Sequence, residues 1–184
     1  MIFSPTRLEG AYLIDMERRA DERGSLARTF CEHEFAEHGL AMRIVQSSTI
    51  QTQRRHTLRG LHYQEAPHAE IKLVRCTRGS IFLVMVDLRP GSATRHDWLG
   101  VELDARGERM AYVPEGFAQG YQTLEDDVEV FYQMSHEYVP EAARGVRWDD
   151  RAFGIAWPAA DERIISERDC SWPSVRRPGD SPQA

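Results

Sequence analysis

From residue 42 to residue 140 the chain is a succession of short β-type runs, each closed by glycine, proline or a charged turn. After MRIVQSSTIQTQ (42–53) and LHYQ (61–64) come EIKLVRCTRG (70–79), SIFLVMVDLRPGS (80–92) and HDWLGVELDARG (96–107). RMAYVPEGFAQGYQTLED (109–126) and VEVFYQMSHEYVP (128–140) complete the series. Strands this short and this regularly punctuated bury their apolar sides only by packing sheet on sheet. The pattern therefore predicts an all-β fold, a sandwich or barrel of jelly-roll type.

The flanks add little regular structure. LEGAYLIDMER within residues 1–20 reads as one or two short strands, DERGS (21–25) as a charged turn, and 26–30 as a further strand. CEHEFAEHGLA (31–41) predicts a short helix ending near Gly39. From Glu141 the chain turns to polar turns and tryptophans. The expected unit is a single domain over 1–177 with a frayed tail at 178–184.

Composition excludes several function classes. A net charge of -6 argues against nonspecific nucleic-acid binding, which needs cations spread along a face. No apolar run approaches the ~18 residues of a membrane span, and the N-terminus lacks a signal pattern, so the expected location is the cytoplasm. Cys31, Cys76 and Cys170 stand at unrelated spacings and read as reduced structural thiols.

Against this background one basic residue stands out. Of 23 basic residues only Lys72 is a lysine, and it sits in the apolar run 71–74. An ammonium is a compact point charge, suited to stabilise a developing oxyanion where a planar guanidinium would not fit. The alternative is a lysine snorkelling from a strand edge.

Ten residues earlier His62 shares a strand face with Gln64, lining the interior or facing water. On the run 129–135, Tyr132 shares its face with Val130 and Met134 and is a candidate core tyrosine. The cupin jelly rolls bind metals through a His-x-His pair and a later histidine. Here Gln64 and Gln119 occupy the second and last of those places, and glutamine amides are poor transition-metal ligands, so no metal is expected. Arg23 and Arg59 are the arginines most suited to grip a diphosphate.

The segments DERG (21–24), RGLHYQ (59–64), KLVR (72–75), VDLRPGS (86–92), VPEGFAQGY (113–121), Tyr132 with Tyr138, WDD (148–150) and SERD (166–169) occur in an order and spacing that name a family. They resemble the nucleotide-sugar 4-keto-6-deoxyhexose 3,5-epimerases, over residues 1 to about 175. The resemblance implies a cofactor-free, metal-free homodimer of cupin type acting on a nucleotide-diphosphate sugar. A C–H beside a ketone is weakly acidic, so a base must remove the proton while a donor holds the enolate oxygen and an acid reprotonates the far face.

Carried over, the resemblance makes His62 the base and Asp169 the residue that orients it. It makes Lys72 the partner of the 4-keto oxygen and Tyr132 the acid on the opposite face. Arg23, reaching from a partner subunit, and Arg59 would hold the diphosphate, Tyr138 would pack on base or sugar, and Gln46 and Gln119 would contact substrate.

The chain departs from the family pattern at Leu83, where an aspartate is usual, at Gln119, where a histidine is usual, and at Arg28, Ser25 and Leu26. Leu83 and Gln119 together would make the pocket less ionic, which points to a different sugar or to inversion at one centre only. Two other readings stand beside epimerisation: a 3,4-ketoisomerase on the same substrates, and a catalytically silent sugar-nucleotide binding protein.

Overall fold

A computed structural model describes residues 1–175, so the expected frayed tail at 178–184 lies outside the described residues. The strands are β1 (Ile2–Pro5), β2 (Tyr12–Asp15), β3 (Arg18–Asp21), β4 (Gly24–Ala27), β5 (Gln46–Thr52), β6 (Leu58–Gln64), β7 (Lys72–Arg78), β8 (Ser80–Asp87), β9 (Trp98–Asp104), β10 (Arg109–Val113), β11 (Phe117–Thr123), β12 (Val128–Met134) and β13 (Ala143–Gly145). Two short helices, α1 (Glu32–Glu37) and α2 (Glu167–Cys170), complete the elements.

The strands form a six-stranded sheet, β1-β2-β10-β7-β12-β5, and a five-stranded sheet, β13-β6-β11-β8-β9; β3 and β4 make a separate hairpin. Every pairing between these strands is antiparallel. The all-β jelly-roll class is thus realised as two facing sheets rather than one closed cylinder of hydrogen bonds.

Three apolar layers follow from the alternation of side chains. Between the sheets, Ile81, Leu83 and Met85 of β8 meet Val74, Val130 and Tyr121. Outside the six-stranded sheet, Ile14, Leu73, Met110 and Tyr112 are covered by Phe35 of α1 with Leu40 and Met42. Outside the five-stranded sheet, Leu61, Val84, Val86 and Ala118 are covered by Val146, Ala152 and Phe153 of the C-terminal segment. The unbroken apolar run of β8 is explained by this: both its faces are buried.

Several elements differ from the sequence reading. The DERGS turn is tighter than expected. Asp21 and Gly24 are paired, so only Glu22 and Arg23 form the tip, and the strand expected at 26–30 ends at Ala27. Gly24 at φ 128 supplies a backbone conformation that side-chain-bearing residues avoid. The expected helix at 31–41 is a six-residue helix, with Gly39 at φ 72 just beyond it. Helix α2 was not foreseen. Ser166 caps it by accepting from the Asp169 N–H at 3.1 Å.

Cys76 is buried, with its thiol donating to the Arg78 and Gly79 carbonyls, and burial pushes its pKa up to about 11, as suits a structural thiol. Cys170 is exposed, which removes it from that class.

Candidate active site

Residues of both sheets line a cavity of about 570 Å³, within the range of small-molecule sites. Its wall takes His62 from β6, Lys72 from β7, Gln119 from β11 and Tyr132 from β12, with Val74, Val130 and Ile50 supplying an apolar floor. Arg59, Tyr138 and Asp169 line it as well.

Register explains how β6 supplies both Arg59 and His62. Three positions apart, they would face opposite ways on a regular strand. Opposite β11, however, His62 pairs with Gln119 and Arg59 with Tyr121, so β6 spends three residues where β11 spends two, and the bulge turns both side chains inward. Glycine is required at this crossing. A Cβ on Gly60, whose φ is 118, would lie 2.6 Å from the Gly120 Cα and 2.9 Å from the Gln119 carbonyl oxygen.

His62 is held from behind. Its Nε2–H donates to Asp169 Oδ1 at 2.6 Å, leaving Nδ1 as the basic nitrogen. Asp169 is nearly buried. It also accepts from the Gly60 N–H at 3.1 Å and from Trp172 Nε1–H at 3.3 Å. Burial alone would raise the Asp169 pKa, but the bond and charge of His62, with Gly60 and Trp172, outweigh it and hold the pKa below the ordinary carboxylate value. The pair is therefore an ionised carboxylate orienting an imidazole, an arrangement that stabilises the imidazolium formed on proton uptake.

Lys72 lines the cavity with its side chain 13% exposed, its ammonium held by a buried carboxylate. Its Nζ lies 2.8 Å from Glu70 Oε1. Arg59 donates from Nε to Thr52 Oγ1 at 3.3 Å, and the exposed Tyr138 is fixed through its backbone N–H, which donates to Gln46 Oε1 at 3.0 Å. Gln46 thus supports Tyr138 without lining the cavity. Gln64, the expected face partner of His62, is buried and its amide is spent on backbone groups of His68, Glu137 and Val139.

Arg23 stands apart. It is at the tip of the β3–β4 hairpin, with its side chain 84% exposed and paired with Asp21, outside the cavity of its own chain. Leu83 differs from its sequence reading too. It is fully buried between the sheets, opposite Tyr121, and does not line the cavity, so only Gln119 of that pair is placed to touch a ligand. Arg28 pairs with Glu34 on the surface.

Glu70 and Tyr121 are among the cavity residues that the sequence reading did not single out. Glu70 stands two residues before Lys72, in the run 70–79 that the sequence reads as one strand, a signal that alternation offered. Tyr121 has a buried hydroxyl without a hydrogen-bond partner, and burial pushes its phenol pKa up. Among the described residues no group of three or more His, Cys, Asp or Glu side chains is placed to hold a metal ion.

Comparison with known proteins points one way. A family model described as dTDP-4-dehydrorhamnose 3,5-epimerase matches residues 5–177. The dTDP-4-dehydrorhamnose 3,5-epimerase of Methanothermobacter thermautotrophicus is 45% identical over 177 residues, covering 95% of this chain and 94% of that protein. The crystal structure of the enzyme of that name from Elizabethkingia anophelis superposes with a TM-score of 0.91 at 34% identity, covering 95% of this chain and 96% of the other. ChmJ, a 3'-monoepimerase from Streptomyces bikiniensis solved in complex with dTDP-quinovose, superposes with a TM-score of 0.86 at 32% identity, covering 92% and 86%.

Proposed function

The chain belongs to the dTDP-4-dehydrorhamnose 3,5-epimerase family and is an isomerase that epimerises a 4-keto-6-deoxy sugar nucleotide; from that premise we propose the roles of its residues. His62 Nδ1 removes the proton from the carbon beside the 4-keto group, with Asp169 fixing the ring and stabilising the imidazolium. Lys72 donates to the keto oxygen as it gains enolate charge. Tyr132, from the opposite sheet, returns a proton to the other face. The observation that carries this reading is that imidazole, ammonium and phenol, from β6, β7 and β12, line one cavity whose floor is apolar.

Around that centre Arg59 grips the diphosphate, Tyr138 packs against the base or sugar at the rim, and Gln119, facing His62 across the strands, contacts the sugar. Arg23 is supplied by a second copy of the chain in a homodimer. Its place on an exposed hairpin, beside a Leu26 that is 74% exposed, supports that reading. The protein acts in the cytoplasm, where its sugar-nucleotide substrate is soluble; no helix of the described residues is long and apolar enough to cross a membrane.

His62→Ala tests the base assignment. In deuterated solvent the variant is expected to lose carbon-bound label by about 10²-fold or more, while the rise in melting temperature produced by dTDP stays that of the unaltered protein. Wild-type exchange in that variant would refute the role. Counting label at C3 and C5 separately by mass spectrometry in the unaltered enzyme gives the number of centres. Label at C3 alone would tie the neutral Gln119 to single inversion, and label at both would end that reading.

A further inference from the structure

The roles above leave one buried charge unused. Glu70 lies just before β7 with 3% of its side chain exposed. It lines the same cavity as His62 and Tyr132. One oxygen, Oε1, takes the Lys72 ammonium at 2.8 Å; the other, Oε2, accepts from the Gln64 backbone N–H at 3.1 Å. A carboxylate withdrawn this far from water is costly unless both its oxygens are occupied, so its partners define its geometry tightly.

We propose that Glu70 is a positioning residue for the epimerisation: it holds Lys72 with its remaining N–H groups turned toward the keto oxygen. This rests on the reading of Lys72 as the partner of that oxygen. A lysine has a flexible four-carbon stem and three rotatable donors, so alone in an apolar wall it would sample several directions. Oxyanion stabilisation works only when the donor is already in place as charge develops, since reorganisation at that moment is part of the barrier.

Glu70 consumes one of the three donors and points the others. The anchor does not yield easily. Gln64 Nε2 donates to the carbonyls of His68 at 2.9 Å and Glu137 at 3.1 Å, and its Oε1 accepts from the Val139 N–H at 2.6 Å. The segment carrying Glu70, the end of β6 and the loop carrying Tyr138 are thereby bound together.

The pair also balances charge: the carboxylate keeps the Lys72 ammonium from lying unpaired in the interior.

Glu70→Gln keeps the shape and one acceptor while removing the charge. The expected result is a fall of about 10- to 100-fold in kcat and in solvent deuterium exchange, with KM and the melting shift given by dTDP unchanged. Exchange at the wild-type rate, or a loss of dTDP binding that parallels the loss of rate, would overturn the proposal. Glu70→Gln combined with Lys72→Met removes both charges and so avoids stranding either in the interior. It is expected to exchange no more slowly than Lys72→Met alone, and additive slowing would mean that Glu70 acts elsewhere. If Lys72→Met exchanges normally, the role of the lysine itself falls; if it is slow while Glu70→Gln is normal, only the role of Glu70 falls.

Discussion

Asp87 and Asp169 are both buried carboxylates, one closing a strand and one inside a short helix, yet they are used in opposite ways. Asp87 closes β8 and takes five donors from the next seven residues. They are the Arg89 backbone N–H at 3.0 Å, its Nε at 3.0 Å and a terminal nitrogen at 2.8 Å, then the hydroxyls of Ser92 at 2.6 Å and Thr94 at 2.8 Å. The Asp169 carboxylate gathers two of its three donors, the Gly60 backbone N–H and the His62 ring N–H, from more than 100 residues away. A carboxylate saturated by its own loop can only stabilise that loop. One that spends an oxygen on an imidazole facing a cavity can tune a reaction.

The contrast is open to direct attack. Asp169→Asn should lower deuterium exchange by about 10²-fold or more, because an amide no longer fixes the tautomer or stabilises the imidazolium. Near-normal exchange would show that His62 is oriented by other means. Asp87→Asn should leave exchange by the folded protein unchanged and cost about 2–4 kcal/mol of stability in urea unfolding, since charged donors lose their partner in the interior. An unchanged unfolding midpoint would remove the distinction between the two acids.

The smallest expected effect is on acid stability. Burial would raise the Asp87 pKa, but the bonds from Arg89, Ser92 and Thr94 prevail and pull it from 3.8 to about 2. A carboxylate with a depressed folded pKa contributes its full stabilisation above the ordinary value and loses it as pH falls through the folded one. About 1–2 kcal/mol of stability, after allowance for solvent screening of the part-exposed Arg89, should therefore vanish between pH 4 and pH 2. Asp87→Asn should show less of this loss over the same interval, and an identical acid profile would assign the effect to other carboxylates.

Legibility in the sequence followed the range of the interactions. The strand series, the Pro-Gly turn after β8 and the helix ending before Gly39 rest on neighbours a few residues apart, and these elements were foreseen. The tight turn at Glu22 and Arg23 was blurred because a two-residue tip gives a charged cluster little room to announce itself. Glu70 was within reach, since it stands two residues before Lys72 in a run read as a single strand. Leu83 was misplaced because its position was carried over from the family pattern, which does not say whether a leucine there meets a ligand or packs into the core between the sheets.

Side-chain alternation and turn chemistry thus commit this chain to packed antiparallel sheets, because they act over distances that a few covalent bonds span. The same linear text holds the imidazole, the lone amine and the phenol without saying that they share a cavity. Folding alone brings Arg59 round to the side of His62, through the extra residue of β6 against β11 where Gly60 and Gly120 nearly touch. It likewise delivers Asp169, from a four-residue helix at the far end of the chain, to the back of His62. Such pairings depend on how two sheets and a wrapped segment pack, and packing is a property of the whole chain rather than of any stretch within it.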